Sequence, residues 1–206
     1  EHTVVKNTSD ARMITSIGQK ISIAAERYLT ANGYAGYLKD YAPNFLKSHA
    51  NQVRKKLQKN GAKVIVSIFD ENSLDDNRWH TGHELQRENY YYPLRLVLEN
   101  PELGLIFKPK VAKTLRKRLG SVTELLDKAI ETGRVLVFED SGNFTTLAPP
   151  VLAGMASDYC IHGHFGTASL ECALQGIPTL VIDREGEPSH KFNILPCGKV
   201  IFNNWD

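Results

Sequence analysis

The chain has 206 residues, of which 42% are hydrophobic, and its 25 Lys and Arg against 23 Asp and Glu leave a formal net charge of +2. That is enough chain for one sizeable core, and too even a charge for nucleic acid to be an expected partner, so any anion site must be local. No run approaches the ~18 apolar residues of a membrane span, and Glu1-His2-Thr3 lacks the basic and apolar regions of a signal peptide. The three cysteines, Cys160, Cys172 and Cys197, are odd in number and lack metal-ligand spacing. Cys160 and Cys172 lie in apolar runs where cysteine serves as a small hydrophobe, which fits a reduced cytoplasmic setting compatible with peripheral membrane association.

From Asp10 to Ala31, apolar side chains at Ile14, Ile17, Ile21, Ala25 and Tyr28 recur at helical spacing, with Asn32-Gly33 as the stop. A second helix is predicted from about Pro43, with Phe45, Leu46, His49, Val53 and Leu57 on one face. Arg54, Lys55 and Lys56 form a solvated face, and Asn60-Gly61 ends the helix. Past Gly61 the texture changes. Lys63 to Phe69 is a β-branched run that reads as a buried strand, and similar runs recur at Leu103 to Phe107, Arg134 to Phe138, Tyr159 to His162, Thr179 to Ile182 and Lys199 to Phe202. Most of the intervals are long enough for crossover helices. The clearest of these runs from Val122 to Ile130, with a capping box from Ser121 to Glu124 and Gly133 beyond its end. Within His83 to Glu99, Pro93 should either kink a helix or mark the first turn of a short one. The predicted fold is α/β: a Rossmann-like parallel sheet flanked by helices over 62–206, preceded by a helical segment over 1–61 that packs on the sheet or belongs to a neighbouring domain.

Ligands of such sheets gather beyond the carboxyl ends of the strands. There the chain places Asp70, Glu71 and Asn72, then Lys108, then Glu139, Asp140 and Ser141, and then His162-Gly163-His164-Phe165-Gly166-Thr167. The last group is the most informative, because it leads directly into a helix ending at Gly176, and amides at a helix N-terminus bind phosphate. Gly163 and Gly166 allow close approach or a positive φ, Thr167 and Ser169 carry hydroxyl donors, and Glu171 stands one turn into the helix. A purely structural tight turn fits the same pattern.

The stretch Ser157-Asp158-Tyr159-Cys160-Ile161, followed by Gly166-Thr167-Ala168-Ser169-Leu170-Glu171 and Gly176-Ile177-Pro178, resembles the donor-site segment of GT-B glycosyltransferases. Lipid A disaccharide synthase and capsule-type transferases are the most similar. Asn100 to Pro109, a strand followed by Lys-Pro, resembles capsule-polysaccharide and polyol-phosphate transferases more loosely, and the likeness spans about Lys63 to Phe202. The resemblance implies a C-terminal nucleotide-sugar-binding domain acting in surface polysaccharide biosynthesis, with a glycan or lipid-linked acceptor and an N-terminal domain of the same enzyme as partner. It implies no cofactor and no metal. Gly166, Thr167 and Ala168 would contact the donor phosphates, Glu171 the ribose, and Lys108 a phosphate as a point charge. Lys110 departs from the family, which often carries His there, and His162 does not stand at the spacing to Glu171 found in plant-type UDP-sugar transferases. A nucleotide-sugar 2-epimerase and a non-catalytic nucleotide-sugar-binding or assembly domain are the alternatives.

Other residues carry double readings. His164 and His162 could bind phosphate or move a proton, although His162 could equally finish a buried strand. Asp70 and Glu71 read as a general base or as turn formers. Trp79, His80, His83 and Tyr90-Tyr91-Tyr92 read as a sugar-stacking surface or as packing. Asp183 opens a loop that either reaches the donor sugar or is a solvated turn. No residue stands out as the catalytic base.

Overall fold

The computed structural model describes residues 43–70, 83–139, 149–163, 166–184 and 198–205. The helix predicted over Asp10 to Ala31 lies outside these residues, as do Glu71, Asn72, Trp79, His80, Asp140, Ser141, His164 and Cys197.

In chain order the elements are α1 (Pro43–Lys59), β1 (Val64–Phe69), α2 (His83–Glu99), β2 (Leu103–Lys108), a 3-10 turn (Ala112–Thr114), α3 (Leu115–Leu119) and α4 (Val122–Glu131). Then come β3 (Val135–Val137), α5 (Pro150–Met155), β4 (Tyr159–His162), α6 (Thr167–Leu174), β5 (Thr179–Ile182) and β6 (Ile201–Phe202). The strands form one sheet in the order β3-β2-β1-β4-β5-β6, and every pairing is parallel. The expected α/β fold with a parallel, Rossmann-like sheet is therefore present. The strand order reverses between β1 and β4, where Phe69 lies opposite His162. Connections diverge from that line to opposite sides and leave a crevice at the strands' carboxyl ends.

Period-2 alternation distributes the strand residues between two cores. Ile65, Phe69 and Ile106 face one side, with Leu46, Ala50, Val53 and Leu57 of α1, Leu152 of α5 and Cys172 of α6. Ile68, Leu105 and Phe107 face the other, with Tyr90, Leu94 and Val97 of α2, Leu119 of α3 and Leu126 of α4. Burying each such leucine or isoleucine stabilises the fold by about 1.5–3 kcal/mol.

Helix ends follow the sequence in most places. At the end of α1, Gly61 adopts φ 102°, its N–H bonds to Gln58 O at 2.9 Å and the Ala62 N–H reaches back to Leu57 O at 3.3 Å. That double bond satisfies two terminal carbonyls and needs the left-handed residue that Asn60-Gly61 supplies. One expectation is corrected. The capping box from Ser121 to Glu124 does not form: Ser121 is itself helical (φ −63°, ψ −22°) and makes no side-chain cap bond. Gly120 turns the corner instead, its carbonyl accepting the Thr123 N–H at 3.1 Å. Of the two readings of Pro93, the first turn of a short helix is excluded, because α2 runs through it for 17 residues.

Arg54 departs from the solvated face assigned to it. Its Nη2 donates to Asp158 Oδ1 at 2.6 Å, while Asp158 Oδ2 accepts the Ile65 N–H at 2.9 Å. The Ser-Asp pair entering β4 is thus a structural joint, with Ser157 Oγ 2.5 Å from Ser67 Oγ.

Asp70, at the carboxyl end of β1, is fully engaged. Its Oδ2 accepts from Tyr90 Oη at 2.7 Å and from Arg118 Nη1 at 3.2 Å, and its Oδ1 accepts the Lys110 N–H at 2.7 Å. Arg118 also donates to Val111 O and Thr114 Oγ1. Both charges are buried, with side-chain exposures of 2% and 0%. Burial, and secondarily the Asp70 charge, push the Tyr90 phenol well above its ordinary value, so it stays a donor. Removing one partner of such a pair strands the other charge. Asp70→Ala is expected to lower unfolding stability in urea by about 3–5 kcal/mol, and Asp70→Asn combined with Arg118→Met to cost less than the sum of the two single changes. Additive losses would show that the two residues do not act as a pair.

Candidate functional site

The sequence-predicted site falls at the reversal point. β4 ends at His162, Gly163 follows, and α6 starts at Thr167 with Gly166 as its N-cap. The first N–H groups of any helix lack intrahelical acceptors, so α6 presents the amides of Thr167, Ala168 and Ser169 at the mouth of the crevice. Gly166 makes no side-chain cap bond and sits at φ −148°, ψ 172°, an extended conformation open to any residue. Gly163 does not take a positive φ either. Its reason for being glycine is close approach: a Cβ there would stand 1.9 Å from Asn89 Nδ2 of α2. Gly163 also bonds across the reversal line, its N–H to Phe69 O at 3.1 Å, and its carbonyl accepts from Asn89 Nδ2 at 3.4 Å.

His162 and Ser169 brace this turn from below. Ser169 Oγ donates its single hydrogen to Gly166 O at 2.7 Å, so at its 3.1 Å contact with His162 Nδ1 the hydroxyl accepts and the ring nitrogen donates. The proton of a neutral His162 is therefore on Nδ1. The ring is fully buried and stands edge-on to Phe69 at 5.9 Å. His162 finishes a buried strand, and the Ser169 hydroxyl is engaged inside the protein.

Glu171 is the unusual group. It is 6% exposed, and one oxygen, Oε2, is buried without a hydrogen-bond partner. Burial raises its carboxyl from an ordinary 4.5 to about 7, against the opposing influence of the Val151 N–H and the charge of Lys108. Val151 belongs to the first turn of α5, so the carboxylate accepts from a second helix N-terminus. Lys108 ends β2 and is buried at 7% exposure, its Nζ donating to Pro109 O at 3.3 Å. The structure thus brings Lys108, Glu171 and the start of α6 to one end of the sheet, from β2 and α6. The approach of α5 is a contribution that sequence reasoning missed. Pro149-Pro150 before an apolar run was its signal, since proline favours the first helical position.

The remaining candidates disperse. Tyr90, Tyr91 and Tyr92 point different ways, as successive helical residues must. Tyr90 stacks on Phe107 at 4.7 Å, Tyr92 lies parallel to Trp205 at 6.4 Å, and exposed Tyr91 sits under Arg95. Packing, rather than one sugar-stacking face, accounts for them. Asp183 is 2% exposed, with its N–H on Phe202 O, so it is not a solvated turn. Arg184 pairs with Glu88 of α2 at 2.7 Å. Cys160 and Cys172 are buried free thiols, and burial followed by the neighbouring Cys160 raises the Cys172 thiol well above its ordinary value. Among the described residues no group of three or more His, Cys, Asp and Glu is placed to hold a metal ion, and no helix is long and apolar enough to cross a membrane.

Compared with known proteins, the chain matches no family model and no curated protein.

The Glu171 carboxyl sets a pH dependence. Below about pH 4.5 it is neutral in both the folded and unfolded chain; as pH rises through about 7 the folded chain must ionise it in a buried place, and that share of stability is lost. A shift from 4.5 to about 7 corresponds to about 3 kcal/mol at 1.36 kcal/mol per unit. Urea denaturation of wild type and Glu171→Gln from pH 5 to pH 8 should therefore show the variant gaining on wild type with rising pH, by up to that amount. A constant difference would mean that Glu171 ionises normally.

Proposed function

We propose that this chain is the nucleotide-sugar-binding domain of a GT-B-type glycosyltransferase that transfers sugar to a glycan or lipid-linked acceptor in surface polysaccharide biosynthesis. The observation that carries this reading is the partnerless buried oxygen of Glu171, one turn into a helix whose N-terminus stands where the sheet order reverses. A carboxylate without a donor costs stability, and ligand hydroxyls that donate to it recover that cost.

In this reading the donor's diphosphate lies against the amides of Thr167 and Ala168, and extended Gly166 lets it approach the backbone. Lys108 adds positive charge, and the ribose hydroxyls donate to Glu171. As the glycosidic bond breaks, negative charge builds on the leaving nucleoside diphosphate, and the fixed amides and Lys108 stabilise that charge more than they stabilise the intact donor. Ribose hydroxyls favour the ionised carboxylate, so donor binding opposes the burial that raises the Glu171 pKa, and affinity rises as pH climbs through about 7. Ser169 keeps the turn in place through its bond to Gly166 O, and His162 braces the Ser169 hydroxyl.

Isothermal titration with UDP, CMP, CDP and GDP is expected to show selective binding to one base. Glu171→Ala and Gly166→Val should each weaken it about tenfold or more, the equivalent of one charge-assisted hydrogen bond. Binding untouched by both substitutions would overturn this placement of the nucleotide.

A further inference from the structure

The two faces of the sheet are unevenly covered. On the side of α1, α5 and α6, Cys160 of β4, Thr179 and Val181 of β5 and Ile201 of β6 are all buried. On the side of α2 the same strands are half bare. Tyr159 is 47% exposed there, and Ile161 and its register partner Leu180 are only partly buried. Register carries the strip on to β1, where Val66 lies opposite Tyr159 and Val64, one step along the same face, is 43% exposed. Leu96, 51% exposed, forms the wall beside it. It shares a flank of α2 with Tyr92, which lies parallel to Trp205, and with Asn89, which bonds to Trp205 and Gly163, so that flank is turned toward β4. The connections account for the gap: helices join β1 to β2 and β2 to β3 on this side, whereas α6 joins β4 to β5 on the other. Parallel strands are ordinarily buried on both faces, and helices are what cover them.

We propose that this strip is the docking surface for the amphipathic segment Asp10 to Ala31 of the same chain. The spacing of Ile14, Ile17, Ile21, Ala25 and Tyr28 predicts one apolar helical stripe, about 21 Å long at 1.5 Å per residue, against about 20 Å for a strand of six residues. From Val66 through Tyr159 to Leu180 the strip is two strand spacings wide, about 10 Å, which is the breadth of one helix. The connecting chain is long enough. Because α1 leads back into the start of β1, its first residue, Pro43, stands at the carboxyl end of the sheet. The stretch from Asn32 to Ala42 reaches up to about 36 Å when extended, and passing from one helical layer to the other takes roughly 20 Å. A second copy of the chain fits this surface less well. The ridge of α2 beside Leu96 carries Arg95 and Glu99, bonded to each other at 2.7 Å, and two copies meeting here would bury that charged pair. The strip lies toward the amino ends of β1 and β4, away from the crevice, and does not depend on the nucleotide reading.

The test is photocross-linking within the whole chain, with benzoylphenylalanine introduced in place of Leu96, of Tyr159 or, as a control on the other face, of Gln52 of α1. All three positions are exposed, so the fold tolerates the label. Mass spectrometry of the irradiated protein is expected to join the labels at positions 96 and 159 to peptides from residues 10–31 of the same chain, and the label at position 52 to join them far less. Ile17→Asp combined with Ile21→Asp should lower the yield from position 96 about tenfold or more, because charge on the stripe opposes burial against an apolar face. Equal yield from position 52, links between two chains, links to any other segment, no link at all, or a yield unmoved by the paired aspartates would each overturn the proposal.

Discussion

The carboxylate of Asp70 holds together the carboxyl end of the sheet. It ends the central strand, and three elements that are distant in sequence converge on it: α2 through Tyr90, the segment after β2 through the Lys110 amide, and α3 through Arg118. A hydrogen bond deep in protein is stronger than one in water, and its loss is correspondingly costly. This one carboxylate therefore fixes both the spacing of β1 and β2 at their ends and the tilt of α2 over them. Asn89, one residue from Tyr90, is thereby set against Gly163, and through that contact the network reaches the turn that starts α6. The position of Lys108 depends on it as well, since the chain passes from Lys108 to Lys110 before Asp70 captures it.

Against this rigid background Glu171 stands out as a local conflict. Several neighbouring groups of the crevice are engaged within the protein: Ser169 by Gly166, Gly163 by Phe69 and Asn89, and the Asp183 N–H by Phe202 O. Leaving a buried carboxylate oxygen dry costs stability at that position, and such positions are where sites are expected. The N-terminus of α5 and the charge of Lys108 limit the cost without removing it.

Strand positions, the parallel sheet and the location of the crevice were legible because buried strands are short β-branched runs whose spacing admits only crossover connections. The Gly176 end of α6 was legible too, since φ 75° there requires what glycine offers. What stayed hidden were pairings between distant residues. Nothing adjacent to Asp70 announces Arg118, and Asp158 seeks Arg54 from α1 across about a hundred residues of chain. Gly163 reads in the sequence as allowing close approach or a positive φ, and close approach is its role, but that Asn89 is what approaches was not visible. The Ser121 box failed because a residue type that favours a cap adopted helical geometry from the preceding corner. Local preference is written in the sequence, whereas tertiary partners are chosen by the packed whole.

Gly154 of α5 lies against both buried thiols: a Cβ there would be 2.6 Å from Cys172 Sγ and 3.3 Å from Cys160 Sγ. The helix thus acts as a stopper over the two sulfurs, and a reagent in solvent finds neither until that stopper lifts. Because Val151, Leu152, Ala153 and Gly154 of α5 are all buried in the core, lifting the helix exposes a large part of this side of the sheet. Alkylation of Cys160 and Cys172 would consequently time the opening of the packed core beside Glu171.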